Sequence, residues 1–302
     1  PEITRLSSDD ALLKHVSARG RKACLDYELA GGELLVTVTV TLGREWMARF
    51  AVEVQNNSGR DVIAVVCPTL AQVRAGTDSS DDVLCFPSMS GRLVKRPGEA
   101  GTLTNPHPIR TTIGFCDLHD KQGGVMLAPL DYPMVLSQFT SAADPGRQSA
   151  TLSLTRRDRV RPGQSATFTA GVGVHPGDWH GAADWYRNWF TEHAGRPQIP
   201  DWVRNSDGWI TSPDAERMAG LGFDHIQMWM QTGFAGCPTY YLPNPTYHSE
   251  KWFTDLASAF RGLGGHVGVY YHGNGMSRSY ILADKIYGIP INEIPDYKRP
   301  PA

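Results

Sequence analysis

Residues 264–280 read GGHVGVYYHGNGMSRSY. The first half is the pattern of a short buried strand. The second half turns to tyrosine, histidine, asparagine and glycine, groups that a strand end can deliver to a site. Upstream, SDGWITS at 206–212 reads as a short strand and PDAERMAGLG at 213–222 as a short helix. GFDHIQMWMQ at 222–231 is again a strand, and SEKWFTDLASAFRGLG at 249–264 a helix. Alternating strands and helices imply parallel pairing through right-handed crossovers, hence a (β/α)8 barrel or an open doubly wound sheet. No G-x-G-x-x-G follows the first of these strands, so a dinucleotide fold has no fingerprint here. A complete barrel needs roughly 250 residues. The expectation is therefore the first three βα units of a (β/α)8 barrel over 201–302, with the remainder of the barrel supplied from elsewhere or by another chain.

Side-chain alternation divides each strand into two faces. In HIQMWMQ, Ile226, Met228 and Met230 share one face and should pack on helices. Gln227, Trp229 and Gln231 share the other. By the same rule Val267 and Val269 point toward helices, while Gly268, Tyr270 and His272 point inward. Ile210 points outward on the first strand, and Asp207, Trp209 and Thr211 inward. Sites in this fold lie at the C-terminal strand ends. Trp209, Gln227, Trp229, Gln231, Tyr270, His272 and Asn274 are accordingly the candidate substrate-binding residues. Indole and phenol faces suit the C–H faces of sugars, and amides and imidazoles suit hydroxyls. Plain barrel core is the competing reading for Trp209 and Trp229, and a structural network for Gln227. The loop 232–252, TGFAGCPTYYLPNPTYHSEKW, could place Tyr240 or Tyr241 over a ligand.

The first 176 residues have a different texture. ELLVTVTVTL at 33–42 alternates Val36, Val38, Val40 and Leu42 with threonines, a strand with one buried and one wet face. MARFAVEVQNNSGRDVIAVV at 47–66 holds two strands split by Asn56, Asn57, Ser58 and Gly59, which reads as a hairpin. TTIGFCDLHDKQGGVMLAPL at 111–130 repeats the plan around residues 120–124, and 151–174 adds two strands around Arg161, Pro162 and Gly163. Many short strands with turns at this spacing indicate a β-sandwich. Between the two textures, GDWHGAADWYRNWFTEHAG at 177–195 has helical spacing, and its stripe of Trp179, Tyr186 and Trp189 reads as packing core. The division is thus 1–176 sandwich, 177–200 linking helix, and 201–302 partial barrel.

The 302 residues carry a formal net charge of −2 and no basic run, which argues against a nucleic-acid partner. No apolar run approaches the ~20 residues of a membrane span. Cys24, Cys67, Cys85, Cys116 and Cys237 form no C-x-x-C pair, and an odd count fits a reducing, cytoplasmic compartment better than a disulfide framework. No metal-ligand spacing and no cofactor motif is present, and His272 stands apart from other metal-type residues. His107, His119, His175, His180 and His193 read as surface or turn residues, and Arg217 and Arg261 as solvated helix residues.

The order of VQNNSGRDVIAVVCPTL, DDVLCFPSMSGRLV, AADWYRNWF, DGWI, GFDHIQMWMQ and GGHVGVYYHGNG resembles a bacterial glycoside-hydrolase-like family of DUF6259 type. That family is similar to the clans of α-galactosidases and endo-α-N-acetylgalactosaminidases. The resemblance spans essentially the whole chain. It implies a galactose-mutarotase-like supersandwich followed by a catalytic barrel, with a carbohydrate ligand. In those clans the nucleophilic carboxylate comes from barrel strand four and the acid/base from strand six. Both would lie past residue 302, so no catalytic residue is assigned. Asp284, Glu293 and Asp296 sit in no strand pattern. The expected role is the N-terminal part of a glycoside hydrolase that supplies substrate-binding wall. A non-catalytic carbohydrate-binding protein and an assembly subunit are the alternatives.

Overall fold

The computed structural model describes residues 3–43, 46–206, 208–209, 214–223, 225–228 and 249–269. The chain divides into two compact units, Pro1–Arg196 and Pro197–Ala302.

The first unit is an antiparallel β-sandwich. Its strands are β1 (Leu12–Arg19), β2 (Lys22–Leu29), β3 (Leu34–Leu42), β4 (Met47–Asn56), β5 (Val65–Val73), β6 (Val83–Phe86) and β7 (Arg92–Lys95). They continue with β8 (Thr102–His107), β9 (Cys116–His119), β10 (Gly123–Pro129), β11 (Ser137–Asp144), β12 (Ser149–Arg156) and β13 (Ser165–Pro176). Nine of them form one sheet in the order β1-β2-β3-β4-β13-β10-β9-β6-β7, and four form the other in the order β5-β12-β11-β8. The core lies between the sheets. Leu84, Phe86, Leu118, Leu127 and Ala170 from the wide sheet meet Phe139, Ala150, Leu152 and Leu154 from the narrow one. Alternation along β12 shows the cause, since Ala150, Leu152 and Leu154 are buried while Thr151 and Ser153 are not.

Helix α1 (Trp179–Ala194) covers the opposite face of the wide sheet. The Asp178 carboxylate caps its start, accepting the His180 N–H at 3.0 Å, and Gly195 ends it at φ 73°. Ala182 and Trp189 are buried against Met47, Cys85, Phe115, Met126, Ala128 and Leu130, with Trp179 and Tyr186 packed beside them. The aromatic stripe of this helix is therefore core.

The wide sheet overhangs the narrow one. Along the register row Val16, Leu25, Val38 and Val52, burial falls from Val52 inside the core, through half-buried Val38 and Leu25, to Val16 in solvent. Strand β3 consequently keeps Val36, Val38 and Val40 only half-buried rather than fully covered on one face.

The hairpin expected at Asn56–Gly59 is absent. Strand β4 pairs with β3 and β13, whereas β5 pairs with β12 in the other sheet. Asn56 explains the departure. Its fully buried amide donates to the carbonyls of Arg60 and Val160, both at 2.8 Å, and accepts from the N–H and hydroxyl of Ser58. This Asx turn redirects the chain from one sheet to the other instead of folding it back on itself.

In the second unit the described elements are α2 (Asp201–Arg204), α3 (Ala215–Gly220), β14 (Ile226–Met228), α4 (Glu250–Gly262) and β15 (Val267–Val269). Strands β14 and β15 pair in parallel with α4 between them in sequence. Of the strand expected at 206–212, Ser206, Gly208 and Trp209 are described, and none lies in a strand. Two parallel strands and these short helices do not by themselves define a barrel. Among the described residues, no helix is long and apolar enough to cross a membrane.

Candidate functional site

The parallel pair separates two faces. Ile226 stands opposite Val267, Gln227 opposite Gly268, and Met228 opposite Val269. Ile226 is fully buried among Met218 of α3, Leu256 and Phe260 of α4, and Val267. Amphipathic spacing puts those helix residues there, and Ser249 starts α4 by accepting the Trp252 N–H at 3.1 Å.

The other face carries Gln227 and Gly268. The Trp209 indole lies on Gly268 so closely that a Cβ there would sit 2.9 Å from Cζ3. Just before β14 and β15 come His225 and His266, on the same side by alternation. The His266 N–H donates to His225 Nδ1 at 3.1 Å, which makes that nitrogen an acceptor and, in the neutral ring, leaves the proton on Nε2. Trp202 stacks on His266 with centroids 3.6 Å apart and planes within 9°. Trp209 meets His225 at 5.2 Å and Trp202 at 5.9 Å. Four rings thus floor this face at the strands' N-terminal ends. Gln227, half-buried, stands one step further along, and Trp209 remains 38% exposed. Flat rings beside a glycine and an amide can stack an apolar ligand face and hydrogen-bond its edge.

Of the residues expected at the site, Trp209 and Gln227 are described and share this face. Trp229, Gln231, Tyr270, His272 and Asn274 lie outside the described residues, as do Tyr240, Tyr241, Asp284, Glu293 and Asp296. Trp202, His225 and His266 escaped the sequence-based set. A signal for the two histidines was present, since each strand is entered by the same pattern, His-Ile-Gln and His-Val-Gly.

A second polar cluster sits in the sandwich and corrects the expectation of surface histidines. Asp117 is fully buried on the helix-covered face, and its two oxygens bind His119 Nδ1 at 2.8 Å and His175 Nε2 at 2.7 Å. His119 is buried and His175 largely so. The hydrogen bond that His175 donates to the Asp117 carboxylate raises its pKa above the ordinary value. His107 is buried too, edge-on to the Phe139 ring and bonded to Thr111 at 2.7 Å. Burial, with a smaller contribution from the Arg156 charge, pushes its pKa down to about 4. These three positions fall on strands whose faces are covered, which local polarity does not reveal. His180 and His193 are exposed as expected, and so are Arg217 and Arg261. Among the described residues no group of three or more His, Cys, Asp or Glu side chains could hold a metal ion.

The fold places the chain among β-sandwich proteins in which a parallel β/α segment follows in sequence. Residues 164–278 match the family described as "Domain of unknown function (DUF6259)", the type that the order of motifs resembles. The galactosidase domain of the α-galactosidase–sucrose kinase AgaSK is similar in fold, with 13% identity, a TM-score of 0.53, and coverage of 95% of this chain and 44% of that one. The α-N-acetylgalactosaminidase NagBb from Bifidobacterium bifidum, in its Gal-NHAc-DNJ complex, gives 12% identity, a TM-score of 0.59, and coverage of 85% of this chain and 49% of that one. This chain spans about half the length of these structures. No curated protein sequence matches it.

Proposed function

We propose that this chain is the N-terminal part of a glycoside hydrolase, and that its second unit supplies the wall of a sugar site. On this reading residues 1–176 are the supersandwich, 177–200 the linking helix and 201–302 the start of a (β/α)8 barrel. Trp209, Gln227, Trp229, Gln231, Tyr270, His272 and Asn274 line the site, and the ligand is a carbohydrate. The observation that carries the proposal is the Trp209 ring laid over Gly268 on the face that bears Gln227. A flat, part-exposed indole beside an amide suits a pyranose ring and its hydroxyls. The fold likeness to a galactosidase domain and to an α-N-acetylgalactosaminidase supports the choice of substrate class. Glycoside hydrolysis needs two carboxyl groups across the scissile bond, about 5–5.5 Å apart in a retaining enzyme. The described residues of this face offer indole, imidazole and amide groups, so this part of the chain is assigned binding and orientation.

The test is hydrolysis by the full coding product of 4-nitrophenyl α-galactoside and α-N-acetylgalactosaminide. Turnover is expected, with KM raised in Gln227→Ala. An absence of turnover across a panel of aryl α- and β-glycosides would sink the proposal.

A further inference from the structure

The sandwich has a cleft of its own. It has a volume of about 210 Å³, and its walls include Trp46, Met47, Met126, His175, Gly181 and Trp185. Strand β4 begins at its mouth, β13 ends along one side, and the first turns of α1 close the other.

Three features mark it as more than a packing gap. Trp46 is 80% exposed, which leaves a large apolar surface in water. Its backbone is held at φ 60°, a conformation that bulky residues seldom adopt and that persists where the surroundings enforce it. Its carbonyl accepts the Val174 N–H at 3.2 Å, which ties it to β13. Secondly, Trp185 and the two methionines extend the apolar wall. Thirdly, the sole ionisable side chain of the lining is His175, and its orientation is fixed. Nε2 is bound to the buried Asp117, and Nδ1 lies 3.2 Å from the Pro176 carbonyl. Gly181 makes room for that ring, because a Cβ there would sit 2.8 Å from Nδ1.

We infer that this cleft binds one pyranose ring, stacked by Trp46 and Trp185 and hydrogen-bonded to the Pro176 carbonyl. A volume below the roughly 300–1,000 Å³ of drug-sized pockets suits one ring and excludes an oligosaccharide. Indole faces complement the axial C–H patch of a sugar, and the Pro176 carbonyl, held by His175 through one lone pair, has a second with which to accept from a hydroxyl. The site belongs to the sandwich and does not depend on the second unit being hydrolytic.

The experiment follows the indole N–H resonances of the 302-residue chain by NMR, assigned through Trp→Phe variants, during titration with D-galactose and N-acetyl-D-galactosamine. Saturable shifts of Trp46 and Trp185 are expected. Trp46→Ala should weaken the response of Trp185 by about tenfold, and so exposed a side chain can be removed without endangering the fold. Movement of the Trp202 and Trp209 resonances alone, or of none, would overturn the inference. So would equal binding of cyclohexanol, which would show that the cleft reads apolar surface and not a sugar. Failure here leaves turnover of aryl glycosides by the full protein unaffected, so the two proposals fail separately.

Discussion

The indole of Trp209 rests on the backbone of Gly268, with no space for even one methyl group between them. The bare strand and the ring define one surface.

Gly268→Ala should therefore push the ring off the strand. Overpacking of this kind typically costs about 1–3 kcal/mol. Sugar binding at the proposed site should weaken with it, while Trp209→Ala in the same background should recover stability and not binding. Denaturant melts and sugar titrations of the three proteins check this. Unchanged affinity in Gly268→Ala would remove Trp209 from the binding surface.

Asn56 holds the crossing between the two sheets with its buried amide. Asn56→Ala leaves the Val160 carbonyl without that donor and frees the turn at Ser58. The expected loss is about 1–3 kcal/mol, the range for removing a partner from buried polar groups. Asn56→Asp should be as harmful, because a carboxylate cannot donate to either carbonyl. Urea unfolding curves measure both.

Arg156 and Asp131 form a buried ion pair at 2.6 Å. Arg156 also donates to the Ser137 hydroxyl and the Thr169 carbonyl, and Asp131 accepts the Thr169 N–H at 2.6 Å. Removing one charge alone, as in Arg156→Met, should cost about 3–5 kcal/mol. The double variant Arg156→Met/Asp131→Leu should regain only part, since the Thr169 N–H loses its acceptor while its carbonyl keeps the Leu130 N–H. Full recovery would show that the Thr169 bonds contribute nothing.

The histidines give the sandwich opposed pH dependences. His175 has a raised pKa in the fold, so its bond to Asp117 contributes fully below the unfolded value of about 6.5 and is lost as pH rises through the higher folded value. His107 has a folded pKa of about 4, lowered by burial. The unfolded chain takes up that proton first, so stability falls as pH drops from about 6.5 toward 4, by at most about 1.4 kcal/mol per pH unit. Asp117→Asn should flatten the alkaline limb, and His107→Gln the acid limb. Melting temperatures between pH 4 and 8 would show both, and an unchanged acid limb in His107→Gln would remove that residue from the account.

Much of the sandwich was legible in the sequence because strands such as β12 bury one face and leave the other wet, so alternation survives in the letters. The first hairpin was not. A register shift between Leu13 and His15 breaks its alternation, and β1 is exposed on both faces, which leaves no pattern to impose. The crossing at Asn56 escaped because Asn and Gly signal a turn without saying which strand the chain meets next. In the second unit, parity placed Ile226 and Val267 toward the helices, as the packing of both residues shows. The Asp117 cluster was hidden for another reason. Its members come from β9 and β13, and only the register of the wide sheet and the cover of α1 bring them together.

The unequal width of the two sheets has a consequence for how the molecule breathes. Strand β1 hangs beyond the narrow sheet, hydrogen-bonded along one edge only, with Lys14 bulged out and paired to Glu28 at 3.3 Å. That bulge and charge blunt the free edge against further strands. Detaching β1 uncovers no buried side chain, whereas opening β13 would split the wide sheet through its middle and expose Phe168 and Ala170. Amide protons on β1 should accordingly trade with deuterium long before those on β13, so the sandwich unzips from its overhang inward rather than all at once.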